Sequence, residues 1–163
     1  MENKKGQQSI GMSFGMIFAI FLIVVFIVFA FIAIKFFLDI NNTASVGLFY
    51  QELQENINDA INQQMSDFEF KIDLPSNIDK ICFANLTAKI TNQGPDYEEI
   101  RNYEFYDANI FVLPPKNSQD MPWNKINGIN ITRITETKNP YCVPVSKNLR
   151  ISKGFYDKQV LIQ

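Results

Sequence analysis

The sequence predicts an α+β protein, with a long N-terminal transmembrane and stalk helix followed by a small antiparallel β-rich domain. Three observations carry this. The run Ile10–Ile34 holds 25 residues without a charge. All seven prolines fall at Pro75 or later, so nothing earlier forbids continuous helix. From Phe68 onward the apolar period shortens from three or four residues to two. The resulting division is a cytoplasmic tail over residues 1–9, a transmembrane helix over 10–38, an amphipathic stalk helix over 39–66 and a β-rich extracellular domain over 67–163.

The apolar run comes first. The composition is 47% hydrophobic, yet the mean hydropathy is only −0.06, so the apolar residues are unevenly spread. Eight of the fifteen phenylalanines lie between Phe14 and Phe37. At about 1.5 Å per residue the run is roughly 37 Å long as a helix, enough to cross about 30 Å of hydrocarbon with some tilt. The competing reading is a buried core helix, but a domain of this size lacks the material to cover such a helix on all sides. The run exceeds the apolar core of a secretory signal, and no A-x-A site follows it, Ala30 and Ala33 being three apart. It is therefore expected to stay attached. Lys4 and Lys5 precede it, against Lys35 at its far end. That bias puts the N-terminus in the cytoplasm and residues from about 40 outside.

The stalk follows. Val46, Phe49, Tyr50, Leu53, Ile57, Ala60 and Ile61 recur every three or four residues and form one stripe. The helix is expected to bend near Asn41–Thr43 or at Gly47, or to break there into two helices. Phe68-Glu69-Phe70-Lys71-Ile72-Asp73-Leu74 then alternates strictly, as a half-buried strand does. Further strand candidates are Lys80–Phe83, Thr87–Thr91, Asn109–Leu113, Gly128–Ile134, Cys142–Val145, Leu149–Ser152 and Gln159–Ile162. Gly94-Pro95 and Lys153-Gly154 read as turns, and 114–125 as an ordered loop anchored by Trp123. Tyr97, Tyr103, Phe105 and Tyr106 form an aromatic cluster among charges. It reads as a strand packing one face, or else as a binding surface.

The cysteines are Cys82 and Cys142. Both lie beyond the apolar run, and an even count outside the cytosol predicts one disulfide. Two buried free thiols are the competing reading. Three Asn-x-Thr sequons, at Asn41, Asn85 and Asn130, make these asparagines possible glycosylation sites. With seventeen Asn in the chain, three sequons are barely more than chance supplies.

Composition excludes several functions. Fifteen Lys+Arg against seventeen Asp+Glu give −2, which is not the charge of a polycationic nucleic-acid binder. The absence of His removes Ser-His-Asp and Cys-His catalysis, His-ligated metals and an imidazole switch. No P-loop, G-x-G-x-x-G, G-x-S-x-G, S-x-x-K or EF-hand pattern occurs. Of the carboxylates Glu98, Glu99, Glu104 and Asp107, the adjacent Glu98-Glu99 read as a solvated face. No catalytic residue, metal ligand or cofactor is assigned, and the protein is not expected to be an enzyme.

The first residues add a processing signal. Lys4-Lys5-Gly6, then Gln7-Gln8-Ser9, then the uncharged run, resemble the class III signal peptides of archaeal type IV pilins and related filament proteins. The resemblance covers roughly residues 4–35. It implies cleavage between Gly6 and Gln7 on the cytoplasmic side, with Gln7 and Ser9 matching the mature start. The family usually has Glu at the fifth mature residue, and here that residue is Gly11. By resemblance the chain is a structural subunit of a surface filament used for adhesion or contact, a homo-oligomer through its N-terminal helix. The alternative is a non-polymerising, single-pass anchored binding module in membrane lipid, whose outer domain recognises a surface ligand or a partner membrane protein.

Overall fold

The computed structural model describes residues 14–118 and 120–163. The processing residues Gly6 and Gln7, the flanking Lys4 and Lys5, and Gly11 lie outside the described residues. The chain divides into two compact units at Leu38–Asp39. The architecture is α+β: a long apolar helix followed by a small antiparallel β domain.

Helix α1 spans Phe14–Asn62, 49 residues. The break into two helices expected near Asn41–Thr43 or Gly47 is not there, since the helix runs through both. Its polar residues are absorbed locally. The Thr43 hydroxyl donates to the Asp39 carbonyl at 3.1 Å, and that of Ser45 to the Asn41 carbonyl at 2.9 Å. Gly47 weakens a helix intrinsically by about 1 kcal/mol relative to Ala. It is tolerated where the helix is already held by packing, and a Cβ there would sit 3.4 Å from the Met121 sulfur.

In the first unit, no described side chain from Phe14 to Leu38 is buried. In the second, α1 buries Val46, Phe49, Tyr50, Leu53, Ile57 and Ala60, one stripe at helical spacing. A stripe of this kind is what fixes an amphipathic helix, at about 1.5–3 kcal/mol for each large side chain buried.

Two antiparallel sheets receive that stripe. The first is built from β1 (Ser66–Phe70), β6 (Leu149–Lys153) and β7 (Leu161–Ile162), in the order β1-β6-β7. The second is built from β2 (Lys80–Phe83), β3 (Ile110–Leu113), β4 (Trp123–Asn124) and β5 (Tyr141–Pro144), in the order β4-β3-β2-β5. The side-chain period of two sorts the second sheet. Ile81, Phe83, Ile110, Val112 and Val143 join Leu53, Ile57, Leu149 and Ile151 in one core. Cys82, Phe111 and Leu113 face the other way, into a smaller cluster with Ile100, Tyr97, Tyr103 and Trp123. The sheet is therefore covered on both faces. This is why its strands read as nearly continuous apolar runs rather than alternating ones.

Several strand expectations are corrected. Of Phe68–Leu74, only the part up to Phe70 pairs, opposite Leu149–Lys153. The in-and-out burial continues to Leu74, where Pro75 turns the chain. Thr87–Thr91 forms no strand, because its backbone is taken up by Asn139, as described below. Gly128–Ile134 splits into a single parallel bridge, Ile129 to Val160, and a short helix α3 (Ile131–Ile134) capped by Asn130. The Tyr97–Tyr106 segment is helical rather than a strand: α2 (Pro95–Ile100), with Gly94 as N-cap and Pro95 in its first turn, then a 3-10 turn over Arg101–Tyr103. A proline with its φ preset belongs at such a start. Trp123, expected in a loop, pairs as β4 with Phe111.

Candidate functional site

The apolar half of α1 is the first functional element. It is long and apolar enough to cross a membrane, and the most apolar stretch of α1 has a mean hydropathy of 3.5 with none of it buried in the protein. Phe26 is 69% exposed and Phe31 70%. Exposed apolar area on this scale needs an apolar solvent or partner, and the segment fits a membrane anchor.

The second element is the disulfide. Cys82 and Cys142 are bonded, with Cα atoms 4.0 Å apart and a sequence separation of 60. The register explains the pairing. Cys82 lies opposite Cys142 on neighbouring strands β2 and β5. The Val145 amide donates to the carbonyl of Asp79, its opposite residue, at 3.0 Å. Counting by twos, Ile81–Val143 is a hydrogen-bonded pair and Cys82–Cys142 a non-hydrogen-bonded one, where strands approach most closely. Pro144, lacking an N–H, also falls at a non-bonded position, opposite Lys80. The Asp96 carboxylate lies within 4.8 Å of both sulfurs. This trio is not a thiolate metal site, since the sulfurs are bonded to each other. Asp96 instead accepts from Lys80 Nζ at 2.6 Å.

Asparagine and glutamine side chains hold the loops by imitating backbone. Asn139 is almost fully buried. Its carboxamide accepts from the Asn85 amide at 3.1 Å and donates to the carbonyls of Asn85 and Lys89 at 2.8 and 3.2 Å. Its own carbonyl accepts from the Thr91 and Asn92 amides at 3.1 and 2.9 Å. These bonds satisfy the 85–92 loop without a neighbouring strand. Asn109 makes a reciprocal pair with Ile126, both bonds at 2.8 Å. Gln54 on α1 clasps Asn127 the same way, at 3.1 and 2.8 Å.

The three sequon asparagines have different settings. Asn41 lies in α1 and is exposed. Asn130 is half-buried, and its carbonyl oxygen caps α3 by accepting the Arg133 amide at 3.1 Å. Asn85 is also half-buried, and its carbonyl oxygen accepts from the Thr87 amide at 3.3 Å and the Thr87 hydroxyl at 2.8 Å. Two clefts meet at Asn85. One, of about 540 Å³, includes Lys89, Thr91, Arg133, Glu136 and Asn139 in its lining. The other, of about 130 Å³, includes Tyr106, Asp107 and Lys125.

The acidic and aromatic candidates are also placed. Glu98 and Glu99 are exposed, and Glu98 pairs with Arg101 at 3.1 Å. Asp107 pairs with Lys125. Both carboxylates face cations, an arrangement that offers neither as an acid/base partner of another carboxylate. Of the aromatic cluster, Tyr103 packs on Phe111 at 6.2 Å between ring centroids and Tyr106 on Trp123 at 4.8 Å. Burial raises the Tyr103 phenol above its ordinary pKa, and the neighbouring Tyr106 adds to this. Phe105 remains 89% exposed. Sequence reasoning missed a second exposed pair, Phe155–Tyr156, whose rings meet edge to face at 5.0 Å. The available signal was an aromatic dipeptide inside the turn Gly154–Asp157. It also missed Asn139, which no local pattern distinguishes from the other asparagines.

Arg150 on β6 grips Asp67 on β1 with two bonds, Nε to Oδ1 at 2.8 Å and Nη2 to Oδ2 at 2.6 Å. The hydrogen bond, more than the charge, holds the Asp67 carboxyl below its ordinary pKa and raises the guanidinium. Comparison with protein-family models, with curated proteins and with solved structures finds no match.

Proposed function

We propose that the protein is a structural subunit of a type IV pilus-like surface filament, serving adhesion or contact. The observation that supports this best is the composition of α1. One uninterrupted helix has a first half apolar on every side and a second half that packs a single stripe on antiparallel sheets. Helices of the first kind leave lipid only when other apolar helices replace it, and a bundle of identical helices at a filament core does so. The Lys-Lys-Gly-Gln-x-Ser start adds the processing signal that such subunits carry. In this reading the N-terminus begins in the cytoplasm and the disulfide-bridged head lies outside, where oxidation is permitted.

A second reading rests on Gly11. It stands where the resembled family usually carries a glutamate, so an anchored binding module that never polymerises is the alternative. Mass spectrometry of the native N-terminus separates the two. A chain beginning at Gln7 supports the filament subunit, and sheared surface material is then expected to contain it in filaments under the electron microscope. A chain beginning at Met1 or Glu2 overturns that reading in favour of the anchor.

A further inference from the structure

We propose that Asn85, and not Asn41 or Asn130, is an N-glycosylation acceptor of the folded head. The inference rests on the reading that the head lies outside the membrane. The three sequons share one pattern, and the structure gives them three conformations. Transfer to Asn-x-Thr needs the threonine hydroxyl and the asparagine carboxamide on the same side of the chain, with the carboxamide open to the donor.

In α1, residues two apart point about 200° from each other around the helix axis. Thr43 therefore faces away from Asn41, and its hydroxyl is already committed to the Asp39 carbonyl. At Asn130 the carboxamide is engaged as the cap of α3, with Arg133 rather than Thr132 on its oxygen. Asn85 is different. Its carbonyl oxygen takes both the Thr87 amide and the Thr87 hydroxyl, closing an Asx turn in which the sequon's own side chains meet. Its backbone is fixed on both sides of the peptide, amide and carbonyl alike, by Asn139. Thr87, Ala88 and Lys89 next to it are exposed, and open space lies beside it in the larger cleft, which Asn130 and Thr132 also line, and in the smaller one, which they do not. Tyr106 lines the smaller cleft, a half-exposed ring on which a first sugar can rest.

The chemistry is a glycosyl transfer from a polyprenyl-phosphate-linked oligosaccharide, catalysed by a membrane transferase of the cell. A hydroxyl hydrogen bond to Oδ1 draws electron density from the amide and makes a proton of Nδ2 easier to lose to the transferase's base. The Nδ2–C1 bond forms as the C1–oxygen bond to phosphate breaks. The lipid phosphate leaves with the electron pair.

The test is peptide mass spectrometry of the full-length protein from its native membranes, alongside surface proteolysis of intact cells. The expected result is sugar on Asn85 in most molecules and none on Asn41 or Asn130. Thr87→Ser should keep the modification and Thr87→Val should lose it, with Trp123 fluorescence confirming that both fold. Equal occupancy of the three sites, or a bare Asn85 on a head that proteases reach from outside, overturns the proposal alone. A bare Asn85 on a head protected from outside protease overturns the orientation with it.

Discussion

A single carboxamide decides the shape of a loop that no strand supports. Asn139 supplies a donor and an acceptor to the 85–92 segment, and the backbone carbonyl beside them takes two more amides. Removing the side chain takes the partners from the half-buried Asn85 amide and carbonyl and from the more exposed Lys89 carbonyl, where water makes up part of the loss. Asn139→Ala is therefore expected to destabilise the head by about 1–3 kcal/mol. Trp123, the single tryptophan, reports this as an earlier urea midpoint in detergent-solubilised protein. Gly128 is a second such position. Its φ is +85°, and a Cβ there would meet the Ile61 Cδ1 at 2.2 Å and the Ile57 Cγ2 at 3.3 Å. Gly128→Ala combines backbone strain with overpacking and is expected to cost about 1–3 kcal/mol in the same assay. Ser66 runs the opposite way. Its hydroxyl is buried with no partner among the described residues, so Ser66→Ala is expected to raise the midpoint slightly. At Asp67 the sign follows from a lowered pKa. The pair with Arg150 contributes above the unfolded carboxylate pKa and is lost as pH falls through the lower folded value. The group is fully exposed, so the effect is small. Acid titrations of wild type and Asp67→Asn should converge below the ordinary carboxylate range, with the wild type ahead only above it.

At the scale of elements, the helix and its stripe were legible because period and burial agree. The six residues α1 buries all belong to the stripe read from spacing, and β2, β3, β5 and β6 stand within a residue or so of the runs that announced them. The failures have different causes. Thr87–Thr91 fitted a strand, but its backbone partners come from Asn139, about fifty residues along the chain, which no local window contains. Gly128–Ile134 fitted one too, but Asn130, inside the run, caps a helix that begins partway along it. In the Tyr97–Tyr106 segment, Gly94-Pro95, read as a turn, instead starts α2, which packs Ile100 and Tyr97 on the outer face of the sheet. The cysteine pairing was legible in number and its register was not, since that depends on strand order. A prediction belongs to the stripe itself. Leu53 is fully buried in the central core, so Leu53→Ala should cost about 2–5 kcal/mol. The equivalent change at exposed Leu48 should cost well under half of that.

For the whole molecule, the contrast is between a head satisfied by its own contacts and an apolar helix that is not. Placing a charge in that helix tests what surrounds it. Phe26→Lys is expected to shift much of the protein from the membrane pellet to the soluble or aggregated fraction, because a lysine at the centre of a span costs about 3 kcal/mol on insertion scales. Unchanged sedimentation with membranes contradicts an anchoring role for the segment. Reduction acts on the head instead. Opening the 60-residue loop held by Cys82–Cys142 should lower its unfolding free energy by about 4 kcal/mol, read as a denaturant midpoint that shifts with dithiothreitol in wild type and not in a Cys82→Ala, Cys142→Ala variant.

The bridge has one more effect, on survival after damage. It joins β2, near the start of the head, to β5, near its end, so a protease nick anywhere from Phe83 to Tyr141 severs the chain without parting the pieces. The C-terminal fragment, with three to five of the seven strands among the described residues depending on where the nick falls, stays covalently joined to the fragment that carries α1. Shedding it takes a reductant as well as a cut.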